Sequence, residues 1–480
     1  MATVTPHPVR PGRGPELVLL VIALAIGVGA YAIVGLATAG SVPADIVGYS
    51  AGLVALAVGM HVVLRWRAPY ADPVILPVVV ALNGLGLAMI YRIDLAYQAR
   101  GRFGGFAERQ LTWTAVSIVL AAVVLVVLRD HRTLRRYTYT AMVAGLALLM
   151  LPLVPGLGAE VNGARIWIRI AEQSFQPAEV GKIVLAVFFA GYLVTNRDTL
   201  ALAGPRVLGL QLPRARDLGP ILLAWVVSLA LLVLERDLGT SLLFFGLFVG
   251  MLYLATERIS WVVIGVGLFL GGAAVAARVF AHVAARFEVW LHALDDDVFQ
   301  RDPGGSGQLV RGLFGMASGG LFGTGLGEGR PDLVPYAESD FIVASLGEEL
   351  GLTGLLAILV LYVVLTQRGL RTAIGVRDGF GKLFAGGMAF VVAFQCFVVV
   401  GGVTRVIPLT GLTMPFLAYG GSSLLANWII VALLLRISDS ARRPAPQAAR
   451  PDDAPPAPAT PVLPQGSDLE TEVIRLGGDE

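Results

Sequence analysis

The sequence has a single cysteine in 480 residues, Cys396, and it lies in an apolar run. An intrachain disulfide and a cysteine-based metal centre are therefore excluded. Histidine is scarce as well: the five His form no HxxxH or HExxH spacing, so no zincin-type site is encoded. Charge is thin, at 15% of residues, whereas 56% are hydrophobic. A water-soluble domain of this length does not hide so much apolar surface. The chain reads as all-α and polytopic in a membrane. A formal net charge of +2 argues neither for nor against nucleic acid, and no nucleic-acid partner is expected.

What is present is a series of apolar runs, about twelve, at 16–39, 47–64, 74–90, 111–128, 138–154, 178–195, 218–235, 238–256, 259–281, 341–366, 383–403 and 412–436. Each is near the length that crosses the hydrocarbon core. Arg10 and Arg13 precede the first run as in a signal sequence, and Ala37-Thr-Ala39 resembles a cleavage site. The run itself is too long for a signal peptide and reads as an uncleaved anchor. Basic clusters at Arg65/Arg67, Arg129 to Arg136, Arg197 to Arg216, Arg368 to Lys382 and Arg436 to Arg443 fall in alternate loops. That pattern puts both termini in the cytoplasm, with residues 1–15 as a short N-terminal lead. The loop 91–110 departs from it, being external yet carrying Arg92, Arg100, Arg102 and Arg109. Contact with an anionic partner and a local exception both explain this. Three polar stretches, 155–177, 282–340 and 404–411, face outward, and the Asp237 turn opens to the same side. Residues 438–480 are rich in Pro, Ala and Asp and read as a disordered cytoplasmic tail.

The chain is organised around Pro335-Tyr-Ala-Glu-Ser-Asp340-Phe-Ile-Val-Ala-Ser-Leu-Gly-Glu348-Glu349-Leu-Gly351, where a polar, glycine-rich segment meets an apolar helix. An ionised carboxylate inside a bilayer costs about 2.5–3.5 kcal/mol even on lenient scales, so these acids face a partner or a cavity. On a helical wheel Ala344 and Gly347 lie below Asp340, leaving room for a substrate. Glu349 points to the far side, toward another helix. A capping Asp with interhelical ion pairs is the plainer reading of the same residues.

Further polar groups gather at the same face. Gly163-Ala-Arg165-Ile-Trp167 and Gln176-Pro-Ala-Glu179-Val-Gly-Lys182 flank the sixth run. Glu179 and Lys182 are three apart and can neutralise each other. Alternatively Lys182 or Arg165 holds a phosphate. Asp237 is either a second carboxylate or a structural partner of Arg236. The segment Gly315 to Gly329 lacks the preceding strand of a dinucleotide fingerprint and reads as a flexible loop that moulds to a ligand. Gly411 to Ser423, with Pro415, Tyr419, Ser422 and Ser423, interrupts the last run. Such a break is tolerated where the backbone is buried in protein, as in a packing kink, or lines a cavity. Arg405 just before it is another outward cation.

In this order, Gly-Ala-x-x-Trp, Gln-Pro-x-Glu-x-x-Lys, Asp-Leu-Gly-Thr, Ser-Gly-Gly-Leu-x-Gly-x-Gly, Ser-Asp-Phe-Ile…Glu-Glu-Leu-Gly and Pro-Phe-x-x-Tyr-Gly-Gly-Ser-Ser, the motifs resemble those of the SEDS family of RodA and FtsW over residues 74–437. The resemblance implies a ten-span core that polymerises lipid II outside the cytoplasmic membrane, releasing undecaprenyl pyrophosphate. It also implies a class B penicillin-binding protein as transpeptidase partner. The family's catalytic Asp falls on Asp340, and its conserved Glu, Lys and Asp fall on Glu179, Lys182 and Asp237. Three departures stand out: Glu338-Ser339 replaces the usual His-Thr, Ile166 the usual Arg before Trp, and Arg236 the usual Pro. Gly402 to Thr410 is similar to actinobacterial RodA-like chains. Residues 16–73 are then a two-helix extension, and 282–340 is a large extracellular loop within the core.

The expected chemistry follows. A sugar hydroxyl attacks an anomeric carbon, Asp340 takes its proton, and a diphosphate leaves. Arg165, Lys182 and Arg405 are the expected cations for the leaving group, and a divalent cation (Mg or Mn) would add to them. Glu348, Trp167, Tyr419, Ser422 and Ser423 complete the expected substrate-binding set. The cavity is expected beside Asp340, walled by 178–195, 341–366 and 412–436. A lipid II flippase, a division-septum polymerase and a non-catalytic scaffold are the rivals.

Overall fold

The computed structural model describes residues 13–444, without 162–163, 171–172 and most of 202–233. The helices are α1 (Arg13–Ala39), α2 (Ile46–Arg67), α3 (Ile75–Ala99), α4 (Phe106–Val127), α5 (Thr138–Met150), α6 (Pro177–Ala201), α7 (Leu238–Thr256), α8 (Ile259–Val279), α9 (Ala281–Leu291), α10 (Asp296–Phe299), α11 (Gly307–Gly319), α12 (Ile342–Gly375), α13 (Gly379–Val403) and α14 (Gly421–Arg442). Eleven helical stretches among the described residues are long and apolar enough to cross a membrane. The expected run at 218–235 lies mostly outside the described residues. The fold is that of a helical, multi-pass membrane protein. One small exception is the antiparallel sheet β1-β2-β3 (Gly158–Val161, Ala164–Ile170, Gln173–Phe175), built in the polar stretch 155–177.

Local chemistry sets several helix starts. Pro177 opens α6, where its missing N–H is no loss. Asp237 caps α7, accepting from the backbone N–H of Gly239 at 2.9 Å and of Thr240 at 3.1 Å. Asp378 caps α13 through the Gly381 N–H at 2.7 Å. The helices α3, α13 and α14 are buried on most sides and form the centre, whereas α1, α2, α4 and α8 turn apolar faces outward. In a bilayer that outer surface is solvated by lipid chains.

The two-helix extension is joined to the core, not loosely appended. Gly27 of α1 and Gly84 of α3 meet face to face; a Cβ added at Gly84 would lie 2.9 Å from the Gly27 Cα. Small residues at such crossings let membrane helices approach closely. Toward the C-terminal end of α1, Tyr31 stacks between Tyr49 and Tyr91 at centroid distances of 4.1 and 4.3 Å. Its hydroxyl donates to Asp45 at 2.7 Å. At the other end, buried Glu16 meets Arg65 and His61 of α2.

The last helix corrects a boundary. Composition placed the tail from residue 438, yet α14 runs to Arg442 and Ser438 and Asp439 are buried. Ser438 Oγ accepts from the Asp72 N–H at 3.0 Å, and Asp439 Oδ1 accepts from the Tyr70 N–H at 2.9 Å. Asp72 in turn pairs with Arg442. A chain cut at 438 would lose these bonds. The rest of the expected tail, 445–480, lies outside the described residues.

Candidate functional site

The expected last span, 412–436, is helical only from Gly421; residues 404–420 form an irregular segment instead. Its backbone groups must be satisfied by protein if it lies at membrane depth. They are. Arg286 Nη1 donates to Leu409 O at 2.8 Å, and Gln395 Nε2 to Thr413 O at 2.9 Å. Tyr362 OH donates to Pro415 O. Gln110 Nε2 donates to Ala418 O at 3.1 Å and its Oε1 accepts from the Gly420 N–H at 3.2 Å. The Tyr419 N–H donates to Glu338 O at 2.8 Å. Side chains from three core helices, α4, α12 and α13, and from α9 thus hold this segment in place.

Asp340 lies against that segment, two residues before α12. A Cβ added at Gly411 would be 3.9 Å from Asp340 Oδ2, and one at Gly239 would be 2.7 Å from Thr410 O. The stretch 409–411 therefore joins Arg286, Asp340 and the start of α7. Asp340 remains partly exposed and Gly411 is exposed. The Asp340 carboxyl is pushed up to about 6 by the loss of water around it, then by the negative charges of Glu338 and Asp237, with Arg286 opposing. Glu338 is itself pinned, accepting from Tyr97 OH at 2.9 Å. Non-glycine residues with left-handed backbone cluster here: Arg236 (φ 57), Tyr336 (φ 56), Arg405 (φ 60) and Phe416 (φ 67). Such conformations persist only where the surroundings impose them.

The structure gives several expected ligand-binding side chains other partners. Arg165 sits on an exposed strand and bonds Glu160 at 3.1 Å. Trp167 stands opposite Ala159 across the β1–β2 pairing, half-buried. Lys182 is fully buried, donating to Glu179 Oε2 at 2.5 Å and Gln395 Oε1 at 3.0 Å. Arg405 donates to Trp290 O at 2.7 Å and Leu291 O at 2.8 Å, tying down the last turn of α9. Asp237 is spent on capping: besides the two amides it accepts from Thr240 Oγ1. Its carboxyl is raised by burial despite those bonds. Ser422 Oγ accepts from the Gln176 N–H at 2.9 Å, and Ser423 bonds Asn427 within α14. Tyr419 packs edge-on to Phe106 at 5.1 Å. Among the described residues the cation whose charge acts on Asp340 is Arg286, which sequence patterning did not single out. Its one signal was a place in an amphipathic stretch that continues directly from α8.

The small residues below Asp340 also serve a different end. They admit α11, not a ligand: a Cβ at Gly312 would be 2.8 Å from Phe341 and 3.4 Å from Ala344, and one at Gly347 would be 2.8 Å from Met316. Glu349 does reach another helix as the wheel predicts. Its Oε1 accepts from Arg92 Nε of α3 at 2.8 Å. Arg92 is thus an internal partner, as is Arg100, which pairs with Asp332.

The glycine-rich loop is held fast, contrary to its expected flexibility. Glu349 Oε2 accepts from the Gly327 N–H at 2.8 Å, and Glu348 Oε1 from the Arg330 N–H at 2.9 Å. Glu348 is therefore part of this clasp. Backbone bonds add to it: Thr324 N to Glu348 O, Gly325 N to Glu349 O, Leu352 N to Gly320 O and Thr353 N to Leu321 O, all at 3.0 Å. These carbonyls and amides are free because α12 is broken at Gly351 (φ 67, ψ −172), a backbone region open to glycine almost alone. A Cβ there would collide with the Gly323 amide. Gly351→Ala is expected to cost more than the ~1–3 kcal/mol of backbone strain alone. It should lower the melting temperature and expose 320–330 to protease; unchanged melting and cleavage would show that the break is not required.

Among the described residues no three of His, Cys, Asp and Glu converge as a metal-ligand set. A cavity of about 470 Å³ does exist, lined by Asp130, Arg132, Thr133, Arg135 and Arg136. It lies at the end of the helices marked by Asp378, to which Arg132 comes within 3.4 Å, the far end of α12 from Asp340. It shares no residue with the acidic site.

Residues 73–443 match the FtsW/RodA/SpoVE family of cell cycle proteins. The peptidoglycan glycosyltransferase RodA of Mycobacterium tuberculosis is 50% identical over 447 residues, covering 92% of this chain and 94% of its own. The crystal structure of Thermus thermophilus RodA is similar with a TM-score of 0.53 at 26% identity, covering 77% of this chain and 96% of that one. A chain from a peptidoglycan synthase complex that couples polymerization and crosslinking shares the fold at TM-score 0.51 and 24% identity, covering 82% and 96%.

Proposed function

Because this chain belongs to the FtsW/RodA/SpoVE family of cell cycle proteins, we propose that it extends glycan strands from lipid II with Asp340 as the base. Peptidoglycan glycosyl transfer is its activity, as in relatives matched along nearly its whole length. The finer reading rests on one observation: Asp340 is a partly exposed carboxylate with a raised pKa, placed beside the 409–411 segment just before α12. The acceptor's 4-hydroxyl attacks the anomeric carbon of the donor, its proton passes to Asp340, and the anomeric C–O bond to the diphosphate breaks. Both termini are cytoplasmic and the Asp340 end of the helices faces outward, which agrees with the loop arginines.

The partner is a class B penicillin-binding protein, in keeping with the fold shared with a chain of a polymerizing and crosslinking complex. The role is cell elongation, since RodA relatives share about half of all positions over nine-tenths of the chain. Transport of lipid II is the competing reading. Against it, Asp340 and Asp237 sit at helix ends, not at mid-span as coupling sites do. The deciding experiment is glycan-strand synthesis from purified lipid II in detergent, where there are no sides to cross, with and without the cognate transpeptidase. Strands are expected in both reactions and longer or faster with the partner; no strands in either would overturn the assignment.

A further inference from the structure

Every expected cation of the site is already engaged: Arg165 with Glu160, Lys182 with Glu179 and Gln395, Arg405 with two carbonyls of α9. A diphosphate leaving group still needs positive charge beside the anomeric carbon. Arg286 differs from the other three. It is half-buried, it has no carboxylate within ion-pair distance among the described residues, and its one hydrogen bond uses Nη1 on Leu409 O. Its Nε and Nη2 are left over. The helix that carries it, α9, is clasped at its C-terminal end. Arg405 donates to the carbonyls of Trp290 and Leu291, and Trp290 Nε1 donates back to Arg405 O at 3.0 Å. The Leu409 carbonyl that anchors Arg286 is two residues from Gly411, where an added Cβ would come 3.9 Å from Asp340 Oδ2.

Resting on the reading of Asp340 as the base, we propose that Arg286 binds the diphosphate of the lipid-linked donor with its free Nε and Nη2 edge, neutralising the leaving group as the glycosidic bond breaks. The arrangement is one fixed unit: Arg405 holds α9, α9 presents Arg286, and Leu409 sets the guanidinium at one end of the 409–411 segment while Asp340 sits at the other. Base and leaving-group cation then flank one reacting carbon. The bookkeeping of the step closes. The acceptor oxygen bonds to the anomeric carbon, its proton goes to Asp340, and the electron pair of the broken C–O bond goes to the diphosphate, whose added negative charge meets Arg286. A guanidinium suits the task, since it offers two parallel N–H groups to adjacent phosphate oxygens.

The test separates this role from support of the fold and from the identity of the base. Binding of undecaprenyl diphosphate, undecaprenyl monophosphate and inorganic diphosphate is measured on the full chain in detergent, in an Asp340→Asn background that needs no turnover. Arg286→Ala in that background is expected to weaken undecaprenyl diphosphate at least ~10-fold and the monophosphate much less, because one charged contact to the second phosphate is lost. Arg286→Lys is expected to restore part of the affinity. With Asp340 intact, Arg286→Ala should lower the polymerisation rate by roughly 10²–10³, the usual worth of a donor aimed at developing negative charge. A folded Arg286→Ala that keeps its preference for diphosphate over monophosphate would overturn the proposal, as would an equal loss for both lipids. Failure of Asp340 as base would show in the polymerisation of Asp340→Asn and leave the binding comparison standing.

Discussion

Asp340→Asn is expected to fold normally and to polymerise roughly 10²–10⁴ times more slowly, the usual contribution of a positioned general base. Asn keeps the size and one acceptor oxygen, so the contacts of the 409–411 segment survive. What it loses is the capacity to take a proton. Loss of water around Asp340 comes first in setting its acidity, followed by the neighbouring charges of Glu338 and Asp237, and the result is a carboxyl at about 6. The base is the ionised form, so the wild-type rate should fall as pH drops through about 6 and level off above it. The variant should show no such limb. The effect on stability has the opposite sense. A folded pKa raised above the unfolded one means that the folded state binds the proton more tightly, so stability is lost as pH rises from about 4 to about 6. Asn carries no charge to desolvate, and at neutral pH the variant should melt no lower than wild type. Near wild-type polymerisation by the folded variant would remove Asp340 from the reaction.

How much of this was open to sequence reading depends on the range of the interaction. Glu349 was legible: helical period alone turns it away from Asp340, and Arg92 of α3 stands there. The break before Ser422 was legible because Pro415 and paired glycines cannot continue a helix. By contrast, the glycine-rich loop looked mobile because glycine permits mobility. Its rigidity comes from Gly351, whose unwound backbone offers bonds to residues some thirty positions earlier. Likewise Ala344 and Gly347 signalled space, and only the three-dimensional path of α11 shows what fills it. Arg286 was hidden for the same reason. Its use depends on Leu409, more than a hundred residues away, and no local motif surrounds it.

Lys182→Ala is expected to destabilise the protein by about 3–5 kcal/mol, the usual loss when one member of a buried ion pair is removed. The geometry favours the self-neutralising reading over phosphate binding. Lys182 is 1% exposed and Glu179 5%, which leaves no face for a ligand. The pair is also the foot of a longer chain: Lys182 Nζ donates to Gln395 Oε1, and Gln395 Nε2 donates to Thr413 O two residues from Gly411. Removing Lys182 leaves Glu179 charged and unpaired and frees Gln395 to turn, so the segment beside Asp340 loses a support. A matched pair of changes, Lys182→Met with Glu179→Leu, fills the space without charge. It should recover most of the melting temperature, because apolar replacement of a buried pair is often neutral or stabilising. It should recover activity only in part, since Gln395 still lacks its donor. Full stability with no polymerisation at all, and with undecaprenyl diphosphate binding lost as well, would instead place Lys182 on the substrate.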